Sequence, residues 1–243
     1  MGRERSYEVP PDLRLAWEAE AERWASWARS PGHDSYWRFH RDSFFELLPE
    51  PGGLTLDVGC GEGRLDRDLV ARGHQVVGID GSPTLARLAA SQSPPVLVGV
   101  ADAARLPLRD GVADLAVAFM SLHDMDDLDG AVTEVARVLR PGGRLCFAIV
   151  HPVNSAGEFV SDDPDSRFVI AGSYFAPRIY VDHIERDGKA CTFASAHRTI
   201  DAFSRALEAA GFVIEAMREV TDPDPDDRWY RIPMFLQVRA VRR

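Results

Sequence analysis

Three glycines at every second position, Gly59, Gly61 and Gly63, break the chain immediately after the apolar run Leu54, Leu56 and Val58. The run reads as a buried parallel strand, and the glycines let the following turn bring its backbone close to a ligand. Asp57 stands two residues before the first glycine. A nicotinamide dinucleotide site would carry G-x-G-x-x-G here; this chain has Arg64 where the third glycine would fall, which disfavours that reading. A second short apolar run, Gln75 to Ile79, ends on Asp80, at the place where a strand-ending carboxylate can take both hydroxyls of a ribose. Ser82-Pro83 follows as an N-cap and first-turn pair. A third run, Val96 to Val100, leads to Ala101-Asp102-Ala103. A fourth, Val112 to Met120, leads to Ser121-Leu122-His123-Asp124. Val138-Leu139-Arg140-Pro141-Gly142-Gly143 closes a helix, and Arg144 to Val150 makes a fifth strand.

The motifs LDVGCGEG, VVGID, ADAARLPL, the SLHDMDD loop and VLRPGGRL stand in this order over residues 54 to 151. With them the chain resembles the class I S-adenosylmethionine-dependent methyltransferases, in the small-molecule branch called methyltransferase type 11. The resemblance implies an α/β fold with a doubly wound, seven-stranded, mostly parallel Rossmann-like sheet. Its strand order would be 3-2-1-4-5-7-6, with the last strand antiparallel. It also implies S-adenosyl-L-methionine as cofactor. The Gly59-Cys60-Gly61 backbone would then pack against the methionine part, with Asp57 orienting its amino group. Asp80, with Gly81 and Ser82 behind it, would hold the ribose. Asp102 would accept a hydrogen bond from the adenine amine, the Ala103 amide would face a ring nitrogen, and Phe119 and Leu122 would wall the ring and the sulfonium.

Composition agrees without deciding the matter. A chain of 243 residues suits one α/β domain, residues 1–243, and 45% apolar residues allow a substantial core. A net charge of −10 argues against a track for nucleic-acid phosphates. No Asn-Pro-Pro-Tyr-type sequence follows the fourth strand, where enzymes that methylate DNA amines carry one. Cys60, Cys146 and Cys191 form no C-x-x-C pair, as in a reduced cytoplasmic protein. The charged N-terminus lacks the apolar segment of a secretory leader, and no run approaches the ~20 apolar residues of a membrane span. A small-molecule acceptor is therefore expected, with neither nucleic acid nor membrane as partner; the oligomeric state stays open. The aspartates of the fourth-strand loop match no metal site, so no metal is expected.

Three regions flank the cofactor core of residues 54–150. Residues 12–48 form an aromatic helical segment in which Trp17, Trp24 and Trp27 share one face, read first as a stripe packed on the sheet. Ser30 to Tyr36 is alternatively a hinge to a flap that would bring Tyr36 and His40 to the acceptor. Residues 151–198 interrupt the alternation after strand five, with a hairpin signal at Asp187-Gly188 between two strand-like runs. The resemblance makes this insertion a cap over the acceptor. Residues 199–243 complete the sheet, beginning with an amphipathic helix stopped by Gly211. Methyl transfer by in-line displacement needs alignment above all, and an oxygen acceptor also needs a base. His123 and His151, at the carboxyl edge where ligands bind in such sheets, are the candidates for that base, and His197 is a third residue that could face the acceptor. The expected function is methyl transfer to oxygen or nitrogen of a flat or apolar small molecule. The alternatives are a non-catalytic cofactor-binding partner protein and a nicotinamide-dependent oxidoreductase.

Overall fold

A computed structural model describes residues 3–7 and 12–243. The part of the leader reading that rests on positions 1–2 and 8–11 lies outside the described residues. Seven strands form the central sheet: β1 (Leu54–Val58), β2 (Gln75–Asp80), β3 (Leu97–Val100), β4 (Ala113–Phe119), β5 (Leu139–Val150), β6 (Phe212–Val220) and β7 (Phe235–Arg242). Their order is β3-β2-β1-β4-β5-β7-β6; β1 to β5 run parallel, and β7 enters antiparallel between β5 and β6. This is the doubly wound sheet that the motif order implies. β5 starts earlier than expected, directly at Leu139. Its register with β4 jumps from Ala113–Leu139 to Leu115–Arg144, because Arg140 to Gly143 bulge out before regular pairing resumes.

Alternation along the strands supplies both cores. Leu115, Val117 and Phe119 of β4 face one side, where they meet Leu65 and Leu69 of α3 (Arg64–Ala71) and Phe44 of α2 (Arg41–Phe45). Ala116 and Ala118 face the other, which is filled by Val132 and Val135 of α5 (Leu128–Val138) and Phe203 and Leu207 of α7 (Ile200–Ala209). The parallel strands therefore end along a single edge, and the turns after β1, β2, β3 and β4 gather there.

That edge is covered from two directions. Helix α1 (Leu13–Ala28) lies over it, capped by the Asp12 side chain on the Leu15 amide. The hairpin strands Arg178–Arg186 and Lys189–His197 form the second cover; Asp187 (φ 52°) and Gly188 (φ 72°) supply the two positive φ values of a type I′ turn. Sequence reasoning missed a third strand, Arg3–Ser6, which pairs antiparallel with Arg178–Arg186. Its Arg5 makes a bidentate bridge to Asp182, with Nε 2.8 Å from Oδ1 and Nη2 3.1 Å from Oδ2. The same guanidinium donates to the carbonyls of Asn154, Ser155 and Gly157, which belong to or follow helix α6 (Pro152–Ala156). A four-residue strand without an apolar pattern gives a sequence reader little to find; its anchor is one arginine whose partners lie some 150 to 180 positions away.

The tryptophan stripe does not pack on the sheet. Trp17 is 6.0 Å from Trp24 and 6.1 Å from Phe193 of the second hairpin strand, and its Nε1 donates to the Ala194 carbonyl. The cap gives α1 an aromatic partner that the sheet edge alone lacks.

Arg5 is almost fully buried, so removing it leaves Asp182 unpaired. Arg5→Met is expected to cost about 3–5 kcal/mol of stability, the usual result of breaking one side of a buried pair. Adding Asp182→Leu should recover part of the loss. Urea unfolding of the single and double variants measures both; an unchanged midpoint for Arg5→Met would show that the strand does not hold the cap.

Candidate active site

A cavity of about 830 Å³ lies between the sheet edge, α1 and the hairpin, within the range of small-molecule sites. Its floor is the turn after β1. Gly59 (φ 75°) and Gly61 (φ 58°) adopt conformations that favour glycine. A Cβ on Gly59 would collide with the Ser121 side chain, and one on Gly61 would come within 3.0 Å of the Trp24 ring. Ser121 is placed there by Met120, itself at φ 57°, and its hydroxyl donates to the Val58 carbonyl at 2.6 Å.

Asp80 organises this floor. Its Oδ2 accepts the Gly61 amide and its Oδ1 the Ser82 amide, both at 2.8 Å. Burial pushes its carboxyl above the ordinary carboxylate range, against the pull of those two amides. Ser82 caps α4 (Pro83–Ala90) by accepting the Leu85 amide. Glu18 of α1 then accepts hydrogen bonds from the Ser82 hydroxyl and, at 2.7 Å, the Thr84 hydroxyl. At the other end of α1, Arg29 pairs with the buried Glu62 of the glycine turn at 2.7 Å. Helix α1 is thus fastened to the floor at both ends, with Trp24 between them.

Asp57 is buried behind the turn, and its Oδ1 has no hydrogen-bond partner. Burial, and then the charge of neighbouring Asp66, hold its carboxyl well above the usual range; Asp66 itself is pushed up to about 6, mainly by burial. Asp102 is exposed after β3, with Oδ1 accepting the Ala104 amide at 2.9 Å.

The cavity wall therefore includes Asp57, Gly59, Cys60, Gly61, Asp80, Gly81, Ser82, Asp102, Ala103, Phe119 and His123 of the residues singled out in the sequence. Five others stand off it. Leu122 sits in the core. Tyr36 is fully buried, donating its hydroxyl to Asp68 at 2.6 Å, and His40 packs 3.8 Å from the Phe235 ring. His151 accepts the Val153 amide at Nδ1 as the cap of α6, and its Nε2 lies 3.1 Å from Glu219. His197 uses both ring nitrogens: Nε2 donates to the Tyr174 carbonyl at 2.8 Å, so Nδ1 accepts from the Ser155 hydroxyl at 2.7 Å. Tyr36 and His40 are taken up against the Phe119 ring, and His151 and His197 by α6 and the Tyr174 carbonyl, away from the cavity wall. In their place the structure brings Trp17, Trp24, Trp27, Asp124, Phe193 and Ser195 to the wall. The tryptophan spacing was the signal for three of them; Phe193 and Ser195 lie on a strand whose facing direction the sequence does not specify. Arg64, paired with Asp34 at 2.6 Å and lying under the Trp24 and Tyr36 rings, fills the third-glycine position with bulk and charge.

Residues 56–147 match the family model described as "Methyltransferase domain". An S-adenosylmethionine-dependent methyltransferase structure from Mesorhizobium loti is 26% identical, with a TM-score of 0.69 over 82% of this chain and 96% of that one. Over this region the chain is similar to the class I S-adenosylmethionine-dependent methyltransferases. Among curated relatives, an uncharacterized methyltransferase of Mycobacterium tuberculosis is 38% identical over 41% of this chain and 40% of its own length. A demethylmenaquinone methyltransferase of Mycobacterium marinum is 34% identical over 56% of this chain and 58% of its own. The matched region thus spans well under two thirds of these relatives. The floor of the cavity suits the cofactor of such methyltransferases: the orphaned Asp57 oxygen lacks the kind of donor an ammonium provides, and Gly59, Cys60 and Gly61 line the same cavity.

Gly59→Ala should lose more stability than Gly142→Ala, whose φ is 79° but whose added Cβ meets nothing. The left-handed backbone alone costs ~1–2 kcal/mol in both; equal urea midpoints would remove the proposed contact with Ser121. Burial pushes His40 and His123 down to about 3, with Arg64 acting further on the first and Arg198 on the second. Both are depressed below the unfolded value of about 6.5, so their contribution to stability is whole above that pH and fades as pH falls toward 3. Nitrogen-15 NMR should find both rings neutral from pH 8 to 5, whereas titration near 6.5 would show them to be solvated.

Proposed function

We propose that this chain transfers a methyl group from S-adenosylmethionine to nitrogen or oxygen of a small, flat or apolar acceptor. The carrying observation is that one cavity joins the Gly59–Gly61 turn, Asp80 and Asp102 to an aromatic wall built from α1 and the cap. Asp57 would meet the cofactor's amino group, the turn backbone its methionine chain, Asp80 its ribose hydroxyls, and Asp102 with the Ala103 amide its adenine. The bound cofactor supplies a methyl group on positively charged sulfur, with a neutral thioether as leaving group.

The protein's own part is alignment and enclosure. Reactants held in register gain much of the rate available to such a displacement. Trp24, close over Gly61, and the Trp17–Phe193 contact form an apolar wall of the cavity. Of His123, His151 and His197, His123 alone lines the cavity, while His151 uses Nδ1 on α6 with Nε2 beside Glu219, and His197 uses its nitrogens on Ser155 and Tyr174. Burial disfavours the imidazolium of His123, so a proton leaving the acceptor calls for a carboxylate close by.

Thermal unfolding with S-adenosylhomocysteine, S-adenosylmethionine and NADH tests the cofactor assignment. A ligand at about 100 times its dissociation constant stabilises by ~2.7 kcal/mol, roughly 5–10 °C for a chain of this length. A shift with both sulfur nucleosides and none with NADH is expected, followed by methylated product in a single turnover over an acceptor panel. Asp80→Ala should weaken S-adenosylhomocysteine binding by at least ~1–3 kcal/mol and also loosen the turn, since the Gly61 and Ser82 amides lose their acceptor. A shift with NADH alone would overturn the assignment. Cofactor binding without product would favour a non-catalytic partner protein.

A further inference from the structure

The cavity as a whole has a definite sign. Its lining includes thirteen aspartates and five arginines. Three of the arginines are matched by aspartates: Arg64 by Asp34, Arg38 by Asp222 and Arg228 by Asp162. Arg186 donates to the carbonyls of Gly32 and His33, and Arg14 lies against Gly81 at the ribose end. Asp182 is taken by Arg5. Among the lining aspartates outside these pairs is Asp124, on the short turn Leu122–Asp124 after β4. Its Oδ1 is buried without a hydrogen-bond partner and lies 3.5 Å from Nε2 of His123. The Ser195 hydroxyl is its hydrogen-bonding neighbour from the cap.

Register places this carboxyl beside aromatic rings. Ser195 and Phe193 are two apart on one strand and share a face, opposite Tyr180 and Asp182 of the partner strand; all four line the cavity. Phe193 contacts Trp17 at 6.1 Å and Trp27 at 6.3 Å, and Trp24 stands edge-on to Trp17. A ring cluster with one carboxyl at its end is suited to an organic cation, which the ring faces and the carboxylate both attract. Arg198 is the positive group nearest Asp124 on the cap side, and its guanidinium donates to the carbonyls of His123, Met125 and Asp126, so it holds the loop in place.

We propose that the methyl acceptor is an amine carried on an apolar or aromatic body, and that Asp124 is the catalytic residue that binds it and takes its proton. This rests on the methyltransferase reading given above. The amine enters as ammonium, one N–H bond breaks, and the proton passes to the Asp124 carboxylate. The nitrogen keeps the electron pair and becomes a neutral nucleophile, while Asp124 becomes a neutral carboxylic acid. Burial already pushes the Asp124 carboxyl upward and would push an enclosed ammonium downward, which brings the two close enough for that exchange. His123 acts as a positioning residue behind the carboxyl, and Ser195 as another in front.

The test uses the whole chain saturated with S-adenosylhomocysteine and three probes of one shape: 2-phenylethylamine, 2-phenylethanol and 3-phenylpropanoate. Calorimetry is expected to show the amine binding about tenfold or more tighter than the alcohol, as one hydrogen bond to a charged group implies, and the acid not binding. Asp124→Asn should bring the amine to the level of the alcohol. Equal binding of amine and alcohol, preference for the acid, no binding of any probe, or an amine preference that survives Asp124→Asn would each overturn the proposal. The wild-type comparison stands even if the variant does not fold. Titration with S-adenosylhomocysteine alone is made first, so failure of the cofactor reading is seen separately from failure of the amine reading.

Discussion

Two backbone amides, those of Gly61 and Ser82, converge on one buried carboxylate, Asp80. That convergence ties the turn after β1 to the start of α4, across the two strands whose ends frame the floor of the cavity. The same turn requires left-handed backbone at Gly59 and Gly61, which in turn allows Ser121 and Trp24 to approach closely. From there the enclosure is built outward: Glu18 seats on Ser82 and Thr84, Arg29 seats on Glu62, and α1 is held across the edge. A fold of this class gathers its loops on one edge by topology alone; what makes that edge a covered cavity in this chain is the helix fastened over it.

The cap follows a different logic. Its hairpin is fixed locally by the type I′ turn at Asp187-Gly188, but its place over the cavity depends on one remote arginine and on aromatic contacts with α1. Arg5 bridges Asp182 of the hairpin to the carbonyls around α6, so three segments distant in sequence meet at a single guanidinium. The result is a wall in which polar and aromatic side chains alternate strand by strand. Among the described residues no helix is long and apolar enough to cross a membrane, and no group of three or more His, Cys, Asp or Glu could hold a metal ion.

The sheet was legible because its signals are local and periodic: an apolar run, a glycine or acidic residue at its end, and a helix N-cap after it. Ser82-Pro83, Thr199 and Gly211 stop and start helices where such residues should. That Asp57, Gly59, Gly61, Asp80 and Asp102 come together at one cavity was legible for the same reason, since all stand at strand ends. The acceptor side was not. Whether a histidine at a strand end faces a cavity or caps a helix depends on what packs behind it: His151 turns to α6 and His197 to Ser155 and Tyr174, while His123 reaches the wall. The tryptophan face of α1 was read correctly as a face, and its partner was misassigned, because amphipathic spacing says that a stripe is buried and not what buries it. Asp124 reads in sequence as one more acid in an acidic loop; only its burial and its neighbours distinguish it.

The most direct test of this account is a crystal structure of the chain with S-adenosylhomocysteine. The homocysteine chain is expected against Gly59-Cys60-Gly61, with the ribose hydroxyls on Asp80 and the sulfur directed toward the open volume bounded by Asp124 and Phe193. Ligand lodged elsewhere, with the Asp80 carboxylate still engaged only by Gly61 and Ser82, would contradict the claim that this turn and the capped cavity are one site.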